Sequence, residues 1–409
     1  MAQLSDDCFA FGGALRSLDA ALALIASGVT AAAGVVEVPL LEADGRILAS
    51  DLVAAVDLPP FANSAVDGYA VCLADLAADP VLPVSGRLAA GAAATALRPG
   101  STQRIFTGAM LPPGADTVFM QEDVKALEGR VRFPTGLKRG ANTRPAGEDV
   151  ARGAVALAAG TRLRPQEIAL AAALGCELLP VRERLRVALF STGDELVDPG
   201  SAPGPAQRFD SNRLLLAALC RRAGADITDL GILPDRRDAI AAALRAAAGS
   251  HDAILTTGGV SAGEEDHVRD AVEAAGRLAW WRVAIKPGRP VAMGEIEGTA
   301  FLGLPGNPVA AFVTFVRLAR PLLAALVGET WRPPEPLLVP AAFTYRKKAG
   351  RREYVRVRVQ NGRAHKHPVE GAGILSSLTQ TDGLAELGDD VTAVAVGDPV
   401  GFLPFSMLV

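Results

Sequence analysis

His251-Asp252-Ala253-Ile254-Leu255-Thr256-Thr257-Gly258-Gly259-Val260-Ser261-Ala262-Gly263-Glu264-Glu265-Asp266 reads as a short apolar strand, a glycine turn and an acidic opening to a helix. Gly258 and Gly259 allow a backbone with positive φ and let a ligand approach the main chain closely. A helix starting after them offers unpaired N–H groups and a positive dipole end, together an anion cradle. Glu264, Glu265 and Asp266 set carboxylates beside that cradle, an arrangement suited to a phosphate held through a divalent metal. Alone, such a turn is more often plain structure than a site. Its neighbours reverse that balance.

Outward from this stretch, strands alternate with helices over residues 184–326, which predicts a doubly wound, mostly parallel sheet. Residues 186–190 form an apolar strand ending in the polar turn Ser191-Thr192-Gly193-Asp194-Glu195. Asp210-Ser211-Asn212 caps a helix stopped by Gly224. A strand over 229–233 precedes an alanine-rich helix with Asp235 as its expected N-cap. Beyond the glycine turn come a strand over 278–285, the loop Lys286-Pro287-Gly288-Arg289-Pro290, a strand over 291–293, and Gly303-Leu304-Pro305-Gly306-Asn307-Pro308 opening a helix. Ligands sit beyond the carboxyl ends of strands in such sheets. Four polar turns converge there, at 191–195, 256–266, 286–290 and 305–308.

The flanks differ in character. Leu15, Leu18, Leu22 and Ile25 have helical spacing that ends near Gly28, and residues 35–41 read as a strand. From Pro59-Pro60 to about residue 145, short β-like pieces are cut by Gly and Pro, which predicts a small β-rich insertion. A short helix follows, with Pro165 at its start and Gly175 near its end. After Trp331 a proline-rich linker opens a C-terminal β domain. There Val355, Val357 and Val359 alternate with Arg356 and Arg358 ahead of the hairpin signal Asn361-Gly362. His365 and His367 read as solvated. The expected division is 1–57 with 146–183, 58–145, 184–330 and 331–409.

A chain of 409 residues exceeds one ordinary core. Its net charge of −4 and pI near 5.7 argue against a general nucleic-acid binder. Cys8, Cys72, Cys176 and Cys220 are scattered without a C-x-x-C pair, which suits a reducing cytoplasm and not a structural zinc site. No secretory signal is expected from the first residues, and no apolar run is expected to reach the roughly 20 residues that span a bilayer. Carboxylates at Asp194, Glu195, Asp235 and Asp266 and cations at Arg282, Lys286 and Arg289 point to metal-assisted handling of a phosphorylated small molecule.

Six segments carry a resemblance: Asn63-Ser64-Ala65-Val66-Asp67-Gly68-Tyr69-Ala70, Arg104-Ile105-Phe106-Thr107-Gly108, Ser191-Thr192-Gly193-Asp194-Glu195-Leu196, Thr257-Gly258-Gly259-Val260-Ser261-Ala262-Gly263-Glu264, Ile285-Lys286-Pro287-Gly288-Arg289-Pro290 and Gly303-Leu304-Pro305-Gly306-Asn307-Pro308. In this order they resemble the signatures of the molybdopterin molybdenumtransferase family, that of MoeA and the gephyrin E-domain. The resemblance implies an α/β multidomain fold: a MogA-like molybdopterin-binding domain, a small β-rich insertion, a linking helical and β domain, and a barrel-like C-terminal β domain. It implies insertion of molybdate into adenylyl-molybdopterin with release of AMP, assisted by Mg²⁺, in a cytoplasmic homodimer whose sites are shared between protomers.

By position in those motifs, Asp67, Thr107, Glu195, Asp266 and Lys286 are expected to be catalytic, and Glu195, Asp235 and Asp266 to hold the metal. Thr257, Gly258, Gly259, Ser261, Gly263, Glu264, Pro305, Gly306, Asn307 and Pro308 are expected to bind the pterin or its phosphate. Arg289, Pro290 and Arg351, with Ser376 and Ser377, are expected near molybdate. The family often has lysine where Arg282 and Arg289 stand and serine at Ala310, and arginine changes hydrogen-bond geometry there. Other molybdenum cofactor biosynthesis proteins are expected as partners, whereas nucleic acid and membrane are not. The alternatives are a molybdopterin adenylyltransferase, which lacks such flanking domains, and a gephyrin-like scaffold, for which no long disordered linker is present.

Overall fold

The computed structural model describes residues 15–260 and 267–409, together with Gln3. Helix Leu18–Gly28 begins where the Ser17 hydroxyl accepts the Ala20 N–H at 3.2 Å. Its Leu18, Ala21 and Ile25 share one face and are buried in the main core. Strand Val35–Pro39 then pairs antiparallel with Leu178–Arg182, and Leu52–Val53 with Val155–Leu157. The chain therefore leaves this unit and returns to it.

Between those pairings lies a six-stranded sheet built from Gly68–Val71, Val81–Leu88, Thr102–Ile105, Thr117–Met120, Lys125–Leu127 and Arg130–Arg132. Gly68 is obligatory here, because a Cβ would fall 1.9 Å from the Phe119 carbonyl oxygen. Small cores lie around Ile105 and Val118 and around Phe119 and Phe133.

The strands of the α/β domain are labelled here β1 (Arg186–Thr192), β2 (Asp226–Leu233), β3 (Ala253–Thr257), β4 (Gly276–Arg282), β5 (Pro290–Ile296) and β6 (Thr299–Leu304). Their order is β2-β1-β3-β6-β5-β4. The first four in that order are parallel, and β5 pairs antiparallel with both β6 and β4, so β5 alone is reversed and the sheet is mixed. Val187 and Leu189 face one core with helix Asn212–Arg222, while Ala188 and Phe190 face the other with helices Arg237–Ala248 and His267–Ala275. This two-sided covering makes the central strands apolar throughout. Arg236, not Asp235, occupies the N-cap of the alanine-rich helix, and no side chain caps it.

The helical stretch Pro308–Val327 corrects the expectation about apolar runs: its 20 residues have mean hydropathy 1.7, long and apolar enough to cross a bilayer. Its apolar window is 89% buried, which makes it a core helix. It passes through a π-helical turn at Phe315–Ala319.

In the C-terminal unit, Arg352–Gln360, Gly383–Leu387, Pro399–Pro404 and Leu337–Pro340 are neighbours in one antiparallel sheet. Asn361 and Gly362 both adopt positive φ, 50° and 72°, at the tip of the hairpin with Arg363–Lys366. Two side-chain expectations fail. Arg356 is buried and donates from Nε to Ser377 Oγ at 3.0 Å, and His367 is buried with its ring nitrogens 3.0 Å from Val369 O and Gln380 Oε1. Both faces of this strand region are covered, so period-two alternation does not separate core from solvent.

The pairing that matters most joins two units. Ile285–Lys286, from the loop between β4 and β5, lies parallel to Arg352–Glu353 at the edge of the C-terminal sheet.

Candidate active site

The carboxyl ends of β1, β3 and β6 enclose a cleft of 560 Å³. Its floor is the Thr257-Gly258-Gly259 turn, where Gly258 and Gly259 have φ of 89° and 64°. A Cβ on Gly258 would lie 2.5 Å from Thr192 O, and one on Gly259 would lie 2.4 Å from Val268 Cγ2. Both conformation and space therefore demand glycine.

Hydrogen bonds lace this turn to its neighbours. The Asn212 amide donates to Thr257 Oγ1 at 3.0 Å and to Gly306 O at 2.8 Å, while Thr257 Oγ1 donates to Pro305 O at 3.0 Å. Gly258 N–H donates to Leu304 O at 3.1 Å. Asn212 Oδ1 and Thr192 Oγ1 stay buried beside the cleft without a hydrogen-bond partner among the described residues. Asn212 was not legible as a site residue, because beforehand it reads as part of a helix cap.

Carboxylates edge the same cleft. Glu195 pairs with Arg208 at 2.6 Å, both partly exposed. Asp235 also lines it, and its backbone N–H donates to Asp194 Oδ1 at 3.2 Å. Behind the rim, Ser191 Oγ donates to the buried Asp210 at 2.5 Å, and Asp210, Asp229 and Asp198 surround the Arg213 guanidinium. Arg213 and Asp210 are buried whereas Asp198 and Asp229 reach solvent, and the network ties the 194–209 segment to the first helix of the domain.

A second cleft, of 490 Å³, adjoins the first through Pro290, Pro305 and Asn307, which line both. It lies between the 286–290 loop and the C-terminal unit, and its charged lining is mainly cationic: Lys286, Arg289, Lys348, Arg351, Arg356 and Lys366, against Glu370. Beside it, Glu353 is wholly buried. Its Oε2 accepts from Lys286 Nζ at 3.1 Å and from Tyr345 OH at 2.9 Å, and its Oε1 accepts from Arg351 Nε at 2.7 Å. Burial favours the neutral acid, but the donors Tyr345, Lys286 and Arg351 outweigh it and hold the carboxyl below its ordinary range. Burial likewise opposes the Lys286 charge, yet Tyr345 and Glu353 hold its ammonium above the usual value.

The remaining sequence-predicted residues fall as follows. Pro305, Gly306, Asn307 and Pro308 line the first cleft, and Arg289, Pro290 and Arg351 the second. Ser376 is exposed on the short helix Ser376–Thr379, while Ser377 is buried and donates to Ile374 O at 2.5 Å. Asp67 and Thr107 meet on the insertion, where Asp67 Oδ1 accepts both the Thr107 N–H and its hydroxyl at 2.8 Å. Those two bonds, the backbone one foremost, lower the Asp67 carboxyl. No described residue between 16 and 191 lines either cleft, so this pair stands apart from both. Ser261, Gly263, Glu264 and Asp266 lie outside the described residues. Sequence reasoning missed Glu353 and Tyr345. The Arg351-Arg352-Glu353 run was the available signal, since a carboxylate on a strand read as apolar needs a partner.

Comparison with known proteins assigns most of the chain. Residues 16–175 match the "MoeA N-terminal region (domain I and II)", residues 188–325 a "Probable molybdopterin binding domain" and residues 339–405 the "MoeA C-terminal region (domain IV)". A molybdopterin molybdenumtransferase of Haemophilus influenzae is 38% identical over 377 residues, covering 90% of this chain and 93% of that protein. Molybdopterin molybdenumtransferase 2 of Mycobacterium tuberculosis is 36% identical, covering 88% of this chain and 93% of its own length. The crystal structure of a molybdopterin biosynthesis moeA protein from Pyrococcus horikoshii superposes with a TM-score of 0.81 at 30% identity, covering 95% of this chain and 99% of the other.

Proposed function

Because the chain belongs to the MoeA family of molybdopterin molybdenumtransferases, we propose that it inserts molybdate into adenylyl-molybdopterin and releases AMP. The observation that carries this reading is the pair of adjoining clefts. One has a glycine floor and carboxylates at its edge, the other is rich in cations, and Pro290, Pro305 and Asn307 form their common wall. An adenylylated pterin phosphate fits the chemistry of the first. A tetrahedral dianion fits the second, where Lys286, Arg289 and Arg351 supply charged donors.

Mg²⁺ fits the donor set. This cation is commonly held by one or two carboxylates together with substrate phosphates and water, and Glu195 and Asp235 line the first cleft. Bound there, it would withdraw charge from the phosphate oxygens. Glu195 and Asp235 would hold it, with Asp266 as the family-derived third carboxylate. Arg208, paired with Glu195, lies where it can face the nucleotide phosphate. The Thr257-Gly258-Gly259 turn, fixed by Asn212, sets the main chain against the substrate. Lys286 and Arg351 bind and orient molybdate.

The homodimer belongs to the same proposal. Asp67, half-buried, and Thr107, exposed, sit on the insertion away from both clefts of their own chain, and would complete a partner's site. So does the four-domain division with a barrel-like C-terminal unit. A cytoplasmic setting agrees with Cys72, Cys176 and Cys220, which are free thiols. The test is AMP release from adenylyl-molybdopterin with and without molybdate. Release independent of molybdate would sink the assignment.

A further inference from the structure

We infer that Tyr345 and Glu353 are positioning residues of the cation-rich cleft, holding Lys286 and Arg351 in a fixed array toward a tetrahedral oxyanion. This rests on the reading of that cleft as the molybdate subsite.

Glu353 is fully buried, so it does not itself meet a ligand. Each of its oxygens is occupied: Oε1 by the Arg351 guanidinium, Oε2 by the Lys286 ammonium and the Tyr345 hydroxyl. The hydroxyl in turn accepts from Lys286 Nζ at 3.1 Å, closing a triangle of lysine, tyrosine and carboxylate. An ammonium has three N–H donors and a guanidinium five. Two of the lysine's point to this triangle, and Arg351 directs Nε and one terminal nitrogen to Glu353. The remaining donors of both residues are left for the cleft. The ammoniums of Lys286 and Lys366 also lie over the Tyr345 ring, 5.6 and 5.5 Å from its centroid. Lysine side chains otherwise roam among many rotamers, so these contacts decide where the charges stand. The parallel pairing of Ile285–Lys286 with Arg352–Glu353 fixes the backbone beneath them.

A buried carboxylate beside an anion site has two opposed effects. As a bare negative charge it weakens attraction for the anion, and its removal strengthens binding. As a positioning group it organises the donors, and its removal weakens binding. The sign of the change therefore decides.

The experiment titrates inorganic molybdate into the full-length protein by calorimetry, and measures AMP release with molybdate and adenylyl-molybdopterin varied separately. Wild type and Lys286→Ala come first. If molybdate binding is indifferent to Lys286→Ala, the subsite reading fails, independently of the positioning role. With that established, Glu353→Gln and Tyr345→Phe are each expected to weaken molybdate about 10-fold or more, the range for a lost hydrogen bond to a charged group. Both should leave the KM for adenylyl-molybdopterin within about twofold, because a defect confined to the oxyanion donors does not reach the other cleft. Unchanged or tighter molybdate binding in Glu353→Gln overturns the proposal, and so does an equal loss for both substrates. If Glu353→Gln does not fold, Tyr345→Phe, which keeps its ring, decides by the same criteria.

Discussion

Asn212 and Thr257 are 45 positions apart in the chain and 3.0 Å apart in space, amide to hydroxyl, and the same amide reaches Gly306 O at 2.8 Å. One side chain thus joins two of the turns that wall the first cleft. Asn212→Ala should cost about 1–3 kcal/mol of stability through the acceptors it leaves unpaired. It should also raise the KM for adenylyl-molybdopterin by more than it alters molybdate affinity. Urea unfolding and steady-state AMP release measure the two effects. An unchanged KM would mean that the turns keep their places without the bridge.

Gly259→Ala places a methyl 2.4 Å from Val268 Cγ2 on a backbone with φ of 64°. Strain and overpacking together should destabilise the protein by about 1–3 kcal/mol. A melting temperature equal to wild type would contradict the described turn.

Glu195→Gln keeps the shape of the side chain and one acceptor for Arg208 but removes the charge at the cleft edge. If Glu195 holds Mg²⁺, single-turnover AMP release should fall about 10²-fold, the scale for a lost electrostatic group. The half-saturating Mg²⁺ concentration should rise. Wild-type rates with an unaltered Mg²⁺ dependence would remove Glu195 from the metal site.

The lowered Glu353 carboxyl makes a statement about acid stability. A group whose folded pKa lies below its unfolded one stabilises the fold above the unfolded value, and that contribution disappears as pH falls through the folded value. The stability gap between wild type and Glu353→Gln should therefore be widest near neutrality and narrow steadily on acidification below about pH 4.3, the ordinary glutamate range. Chemical denaturation at several pH values reads it directly. A gap independent of pH would show that Glu353 acts through shape alone.

Mixed dimers test the shared site. An Asp67→Ala protein combined with a Lys286→Ala protein under subunit exchange should regain part of the AMP-releasing activity that each lacks alone. In a mixed pair, one site combines the unaltered insertion of the Lys286→Ala chain with the unaltered cation cleft of the Asp67→Ala chain. No recovery after verified exchange would indicate that each protomer builds its own site.

How much of this was legible beforehand follows the range of the forces involved. The glycine turn and the strand–helix alternation rest on local backbone preference, which the sequence states directly, and the structure has both. The reversed course of β5 was not legible, since strand direction is set by tertiary pairing. Arg356, Glu353 and His367 were misread or missed for a related reason. They sit in a strand region covered on both sides, where their partners Ser377, Lys286 and Gln380 come from other segments. Alternation in one strand carries no information about what will cover it. The polar turns at the rim, by contrast, were found because strands that end at one sheet edge bring their turns together whatever the side chains do.

The short parallel pairing of Ile285–Lys286 with Arg352–Glu353 has a consequence for how such proteins change over time. Two strand residues of one unit complete the sheet of another, so the C-terminal unit is not a portable module. Severed at the proline-rich linker, it would expose the strand edge at Arg352–Glu353, and bare edges recruit foreign strands. Gene rearrangements that exchange this unit alone would also discard the counter-ion of Lys286. The two halves are thus expected to be inherited together, the lysine in one and its carboxylate in the other.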